Sequence, residues 1–284
     1  MTGLVRQSSS FLNCDKAGAA ALFGVPFDST VSFRPGTRLA PFKVRELSRS
    51  LETYSPYFGR ELTQGLCEDV GDLVLPGGNL GESLERIRNE ARRLHAGHRP
   101  VLAIGGEHLV SLPLIQAALE YYPDLAVIHI DAHADLRDEY DGEKLSHATV
   151  MRRVAEHVNP GRIYQLCIRS GAEEEFSLRE TNLYTFSLDA FSKVYSLVKG
   201  HPVYLTFDID AIDPGYAPGT GTPEPGGITP VQVFSFIQAL LGLNIVGFDL
   251  VEICPPFDHS DITSVLGAKI LREIILASVQ TKKG

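Results

Sequence analysis

The sequence predicts an α/β fold, a mostly parallel sheet covered by helices on both faces. Apolar runs of strand length alternate with amphipathic, helix-length segments along the chain. Most of those runs are apolar at every position, as expected of strands buried on both faces. Three of them also end in loops crowded with histidine and carboxylates. Parallel strands share a direction, so these loops open on one edge of the sheet, where open α/β sheets carry their sites.

The elements follow in order. Residues 20–24 form a short apolar strand ended by Pro26, and a helix is expected over 38–51 after a Gly-Thr turn. The plainest helix is 80–95. There Leu84, Ile87 and Leu94 recur at helical spacing among Glu and Arg, Asn79 can cap it and Gly97 can stop it. A fully apolar strand at 101–104 runs into Gly105-Gly106-Glu107-His108, and a helix follows over 109–122. The next strand ends at Asp131. A helix at 149–157, strands at 163–168 and 183–186, and a helix at 188–198 come next. The strand at 203–207 leads into a second acidic cluster. A helix at 230–241, a strand at 245–251 and a helix at 261–278 complete the reading.

Composition narrows the function. The 284 residues are 44% hydrophobic and 21% charged, as in an ordinary soluble globular protein. No apolar run approaches the ~20 residues that span a bilayer, and the first residues do not read as a signal peptide. Cys14, Cys67, Cys167 and Cys254 are scattered, with no CxxC pair, which fits a reducing cytoplasm. Cys254 reads as a buried thiol. A net charge of -9 argues against nucleic acid, which needs a basic surface, and is compatible with a cationic substrate.

The chemistry lies in three segments. Asp131-Ala132-His133-Ala134-Asp135 follows the run 125–130, and strand alternation puts positions 131, 133 and 135 on one side. Asp208-Ile209-Asp210-Ala211-Ile212-Asp213-Pro214 follows 203–207, and His108 follows 101–104. Taken singly, each has an ordinary explanation. A histidine after a strand is commonly structural, a lone Asp-x-Asp commonly closes an Asx turn, and Asp213-Pro214 reads as a turn only. Taken together, two carboxylate-rich strand ends repel unless cations sit between them. His108, Asp131, His133, Asp135, Asp208 and Asp210 make an oxygen-rich set with two imidazoles, suited to a hard or borderline divalent ion such as Mn²⁺. Six groups exceed what one zinc takes from protein and fit two ions sharing carboxylates. Such a pair acidifies a bridging water, which points to hydrolysis at an electrophilic carbon or phosphorus.

In this order and spacing the three segments resemble the metal motifs of the ureohydrolases (arginase, agmatinase and relatives), and the resemblance runs from about Gly24 to the last helix. It implies a single domain over residues 1–284, a three-layer α/β/α sandwich with a mainly parallel eight-stranded sheet, two Mn²⁺, and a homo-oligomer, trimer or hexamer. It implies one ion on His108, Asp131, Asp135 and Asp208 and another on Asp131, His133, Asp208 and Asp210. His147 matches the family's proton shuttle, Glu252 the glutamate that grips the guanidinium, and Thr222 a threonine beside it. Alone, these three would read as a surface histidine, a strand-end glutamate and a turn residue. The mechanism implied is attack of a bridging hydroxide, oriented by Asp210, on the guanidinium carbon, with His147 helping to protonate the departing amine. Two positions depart from the family: Glu107 stands where Asp is usual, and Ala148 where Gly is usual. If position 148 needs positive φ, alanine strains it.

The substrate's tail is less defined. Between Asp135 and His147 the chain carries Asp138, Glu139, Asp141 and Glu143 against Arg137 and Lys144, which favours a free amine over a carboxylate. A solvated acidic loop explains the same residues, and Arg137 reverses the argument if it meets a carboxylate. The segments 221–227, 254–258 and 36–45 resemble agmatinase versions, implying agmatine plus water giving putrescine plus urea. N1-aminopropylagmatine, guanidinobutyrate and arginine are the alternative substrates. From other classes stand a non-catalytic, metal-stabilised binding protein and a two-metal phosphoesterase. The latter needs a basic clamp, and no Lys/Arg cluster stands near the ligands.

Overall fold

The computed structural model describes residues 4–5, 10–178, 182–184 and 188–279, with backbone alone at 4–5, 182–184 and 188–189. Its strands are β1 (Leu4–Val5), β2 (Ala20–Gly24), β3 (Tyr54–Ser55), β4 (Arg60–Glu61), β5 (Cys67–Leu73), β6 (Val101–Ile104), β7 (Ala126–Ile130), β8 (Ile163–Leu166), β9 (Asn182–Tyr184), β10 (Pro202–Asp208) and β11 (Asn244–Val251). Its α-helices are α1 (Ala40–Ser48), α2 (Leu80–His95), α3 (Ser111–Leu119), α4 (Val150–Val154), α5 (Glu173–Ser177), α6 (Leu188–Val198), α7 (Pro230–Ala239) and α8 (Ile262–Ser278).

One sheet runs in the order β1-β5-β2-β6-β11-β10-β7-β8-β9, while β3 and β4 pair separately. Among the described residues it has nine strands, not the expected eight. The edge strand β1 is antiparallel to β5, and the other neighbours are parallel. Both faces are covered. In β6, Leu102 and Ile104 pack with α1, α7 and α8 residues such as Val44, Ile237 and Ile274. Val101 and Ala103, pointing the other way, pack with Ile87 and Ala91 of α2 and Ile115 of α3. That is why these strands carry no polar alternation.

Several boundaries differ from the reading, each for a local reason. The helix expected at 38–51 opens with a 3-10 turn, Thr37–Leu39, and ends at Ser48. The one expected at 109–122 opens with the 3-10 turn His108–Val110 and ends at Leu119. α4 is five residues, shorter than 149–157, and α7 stops before Leu240. β8 ends at Leu166 because Cys167 adopts φ 73°, which no strand continues. Phe186, the expected end of β9, lies outside the described residues. In α2 the Asn79 side chain accepts from Glu82 N at 3.1 Å, a cap of about 1 kcal/mol.

β5 escaped the pattern because Glu68, Asp69 and Asp72 interrupt its apolar residues. The fold explains the acids. Arg45 of α1, 1% exposed, donates from Nε to Asp69 at 2.6 Å and from Nη1 to Asp72. Removing one partner of such a buried pair costs about 3–5 kcal/mol.

The strands β6, β11, β10 and β7 are consecutive in the middle of the sheet. Their C-terminal ends deliver His108, Glu252, Asp208 with Asp210, and Asp131 with His133 and Asp135. Topology alone thus sets four distant stretches of sequence side by side. Gly106 permits the closest approach: a Cβ there would stand 1.6 Å from the Phe27 carbonyl oxygen. The loop after β2 therefore lies directly on the loop after β6, with Glu107 N donating to Phe27 O at 2.9 Å.

Candidate metal centre

His108 is buried at the end of β6. Its Nδ1 lies 2.9 Å from Asp131 Oδ2, 3.2 Å from Asp135 Oδ2 and 3.3 Å from Asp208 Oδ2, yet it forms no hydrogen bond. Its Nε2 meets the Thr206 hydroxyl at 3.0 Å. That hydroxyl donates to Asp249 Oδ1 at 2.6 Å, so it must accept from the imidazole. The Nε2 proton is thereby held on the Thr206 side, and Nδ1 is the nitrogen aimed at the carboxylates. Asp249 is itself fully buried and takes further hydrogen bonds from Ser111 Oγ at 3.0 Å and Tyr204 OH at 2.7 Å.

A second convergence adjoins the first. His133 Nδ1 is 3.0 Å from Asp210 Oδ2 and 3.6 Å from Asp131 Oδ1, so Asp131 touches both groups. The ligand atoms of Asp131, His133 and Asp210 lie within 4.8 Å of one another, as do those of His108, His129, Asp131 and Asp135. Backbone amides steady the acids: Ala132 N donates to Asp210 at 3.1 Å, and Asp210 N donates to Asp208 at 2.8 Å. Asp135 is held at φ 55°, where its carbonyl accepts from Met151 N and Arg152 N at the start of α4. Glu252 sits at φ 64°. Two strained backbones of this kind cost about 1–3 kcal/mol each, and both belong to the site.

The electrostatics call for cations. Burial, then repulsion from Asp210 and Asp131, raises the Asp208 pKa well above the usual carboxylate range. Asp210 is raised in the same way, by burial and by Asp131. Burial works against a charge on His133, but Asp210 and Asp131 outweigh it and push the imidazole up to about 12. His108 is likewise raised against burial by its three carboxylates, while His129, His108 and His133 draw Asp131 well below its ordinary value. Without a metal, these groups hold protons where an ion would sit. An orphaned, pre-oriented Nδ1 amid buried carboxylates fits a dinuclear metal centre, with His108, Asp131 and Asp135 in one group, Asp131, His133 and Asp210 in the other, and Asp208 Oδ2 adjoining the first at 3.3 Å from His108 Nδ1.

One cavity, of about 210 Å³, joins these residues to His147, Thr222 and Glu252. Thr222 Oγ1 donates to Asp210 Oδ2 at 3.3 Å. Glu252 accepts from His108 N at 2.8 Å, and burial together with nearby Glu107 raises its pKa well above normal. The His147 ring lies 3.3 Å from Ser32 Oγ through Nε2 and 3.3 Å from Ser146 Oγ through Nδ1. Burial lowers its pKa. Ala148 is not at positive φ, so alanine brings no strain there. Glu107 also finds a use. It accepts from Thr30 N at 2.9 Å and Thr30 Oγ1 at 2.8 Å, and Thr30 Oγ1 in turn accepts from His147 N at 3.1 Å.

Of the two readings of the acidic loop, the solvated one holds. Asp138, Glu139, Asp141 and Glu143 are exposed, and none lines the cavity. That loop contributes Arg137 and Tyr140 instead, and the carboxylate beside them is Glu175 of α5. His129 was also missed. Its Nε2 meets Asp131 Oδ2 at 2.8 Å, and its Nδ1 accepts from Gln165 at 2.9 Å. A histidine in an apolar strand, two residues before Asp131 and on the same side, was the available signal.

Comparison with known proteins agrees with this geometry. The model of the arginase family matches residues 18–277. An agmatinase of Bacillus anthracis is 46% identical over 265 residues, 91% of each chain. A guanidinobutyrase of Pseudomonas aeruginosa is 37% identical, over 90% of this chain and 85% of its own. The crystal structure of the agmatine ureohydrolase of Thermoplasma volcanium superposes with a TM-score of 0.86 at 30% identity, covering 96% of this chain and 95% of that one.

Proposed function

The chain belongs to the arginase family, and from that premise we infer that it is a ureohydrolase acting on agmatine, with water as co-substrate and putrescine and urea as products. The observation that carries this reading is the meeting of two His/Asp groups with Glu252 in a single cavity. Two Mn²⁺ suit the oxygen-rich, imidazole-bearing donor set. When bound, such ions supply a water acidified enough to react at neutral pH.

The remaining chemistry belongs to the side chains. Glu252 accepts the planar fork of guanidinium N–H donors, and a bound cation draws its raised carboxyl into the ionised form. Asp210, steadied by Ala132 N and Thr222, orients the attacking water by accepting one of its protons in a hydrogen bond. The water oxygen, one proton released to solvent, adds to the guanidinium carbon, and its other proton passes by way of Asp210 to the nitrogen that carries the butyl chain as the bond between that nitrogen and the guanidinium carbon breaks. The departing nitrogen takes a proton from His147, whose lowered pKa makes its protonated form a ready donor. His147 regains a proton through Ser32 and solvent. The four buried, free cysteines support a reducing, cytoplasmic setting.

The test is a substrate panel with Mn²⁺ present: agmatine, N1-aminopropylagmatine, arginine and guanidinobutyrate, scored by kcat/KM for urea release. Agmatine should lead. Preference for another member would replace the substrate, and no urea from any would sink the reading.

A further inference from the structure

Besides the metal cluster and Glu252, two formally charged side chains line the cavity among the described residues, Arg137 and Glu175. They face each other: Arg137 Nε lies 3.5 Å from Glu175 Oε2. The Glu175 side chain is 2% exposed and rigidly held. Its Oε1 accepts from Leu136 N at 2.9 Å and its Oε2 from Ala172 N at 2.6 Å. Arg137 is 38% exposed and rests its guanidinium carbon 5.4 Å from the Tyr140 ring centre. Tyr140 in turn meets His147 edge-on at 5.6 Å. The arginine is therefore tethered at the cavity wall on both sides, by a carboxylate and by an aromatic face.

An unpaired arginine in that wall would receive a carboxylate in bidentate fashion and repel a protonated amine. Here the nearest carboxylate is the protein's own. The pair presents no net charge to a substrate tail. We propose that the Arg137–Glu175 ion pair determines specificity for the substrate's tail. Glu175 masks Arg137 against guanidino acids and so leaves the cavity open to guanidino compounds that end in an amine. The proposal rests on the reading of the site as a guanidino hydrolase and concerns the end of the substrate remote from the reacting carbon.

The experiment compares kcat/KM for guanidinobutyrate and agmatine, with Mn²⁺, in the wild type, Glu175→Gln, Arg137→Gln and the double variant. One uncompensated charge at this range is worth about ten-fold in affinity. Glu175→Gln unmasks the arginine, so the guanidinobutyrate-to-agmatine ratio should rise about ten-fold. Arg137→Gln leaves the glutamate alone, so the ratio should fall about ten-fold. The double variant should return close to the wild-type ratio. These changes should fall on KM and leave kcat nearly unchanged, because the pair touches no reacting atom. A merely structural role would depress both substrates together and move both ratios the same way or not at all, which overturns the proposal. Should Glu175→Gln fail to fold, Arg137→Gln, on the exposed member of the pair, decides by its direction. A wild type that releases urea from agmatine while the ratios stay fixed sinks the pair and spares the hydrolase reading. A wild type inactive on both substrates sinks both.

Discussion

His108 stands 3.0 Å from Thr206 through Nε2, and it is this hydroxyl, itself donating to Asp249, that turns Nδ1 toward the acids. The relay spans three side chains, on the strands β10 and β11 and the loop after β6. Thr206→Val keeps the shape and removes the acceptor. Metal affinity should fall roughly 10–100-fold, the usual effect of losing a partner of a ligand histidine. Competition with a chromophoric chelator measures it, and unchanged affinity would show that the tautomer needs no such support.

Glu252→Gln removes the charge that faces the guanidinium but keeps an acceptor for His108 N. An unpaired guanidinium in a buried site costs at least about 2 kcal/mol. We expect kcat/KM for agmatine to fall by about thirty-fold or more while metal content stays the same. Steady-state urea release alongside metal analysis separates the two effects.

His147→Asn should lower kcat by about 10²–10⁴, the usual contribution of a positioned acid. Thr30 Oγ1 bridges Glu107 and the His147 backbone N–H, beside a direct approach of 3.9 Å between His147 Nδ1 and Glu107 Oε2, so Thr30→Val should produce a milder loss in kcat with little change in KM. Equal losses from Thr30→Val in KM and kcat would argue against a link between the two.

Metal binding should strengthen as pH rises. In the metal-free site the imidazoles of His108 and His133 have raised pKa values, the latter about 12, so each carries a proton at pH 7. A ligand nitrogen must be bare, so loading expels those protons and low pH opposes it. Titration calorimetry in buffers of different ionisation enthalpy counts the protons released. Proton uptake would reverse the sign of this account.

The converging His and Asp residues were legible because they follow apolar runs, so the fold class and the site were read from the same segments. His129, Thr206 and Asp249 were not. Each is a single polar residue inside an otherwise apolar strand, and its purpose appears only once the neighbouring strand is in register: Thr206 lies opposite His129 and Asp249. β5 was hidden for a related reason, since Asp69 and Asp72 look unfit for a core until Arg45 arrives from α1. Glu175 was passed over in favour of acids nearer in sequence to His147. Those acids face solvent, while the fold brings Glu175 to Arg137 from beyond β8.

The proposed function requires that buried acids and imidazoles from separate strand ends hold two divalent ions that drive urea formation. The most direct test strips the protein with a chelator and titrates Mn²⁺ back while urea release from agmatine is followed. Activity should be absent at the start, recover with added metal, and saturate at two ions per chain. Full activity in the stripped protein, or two ions bound with no urea formed, would contradict it.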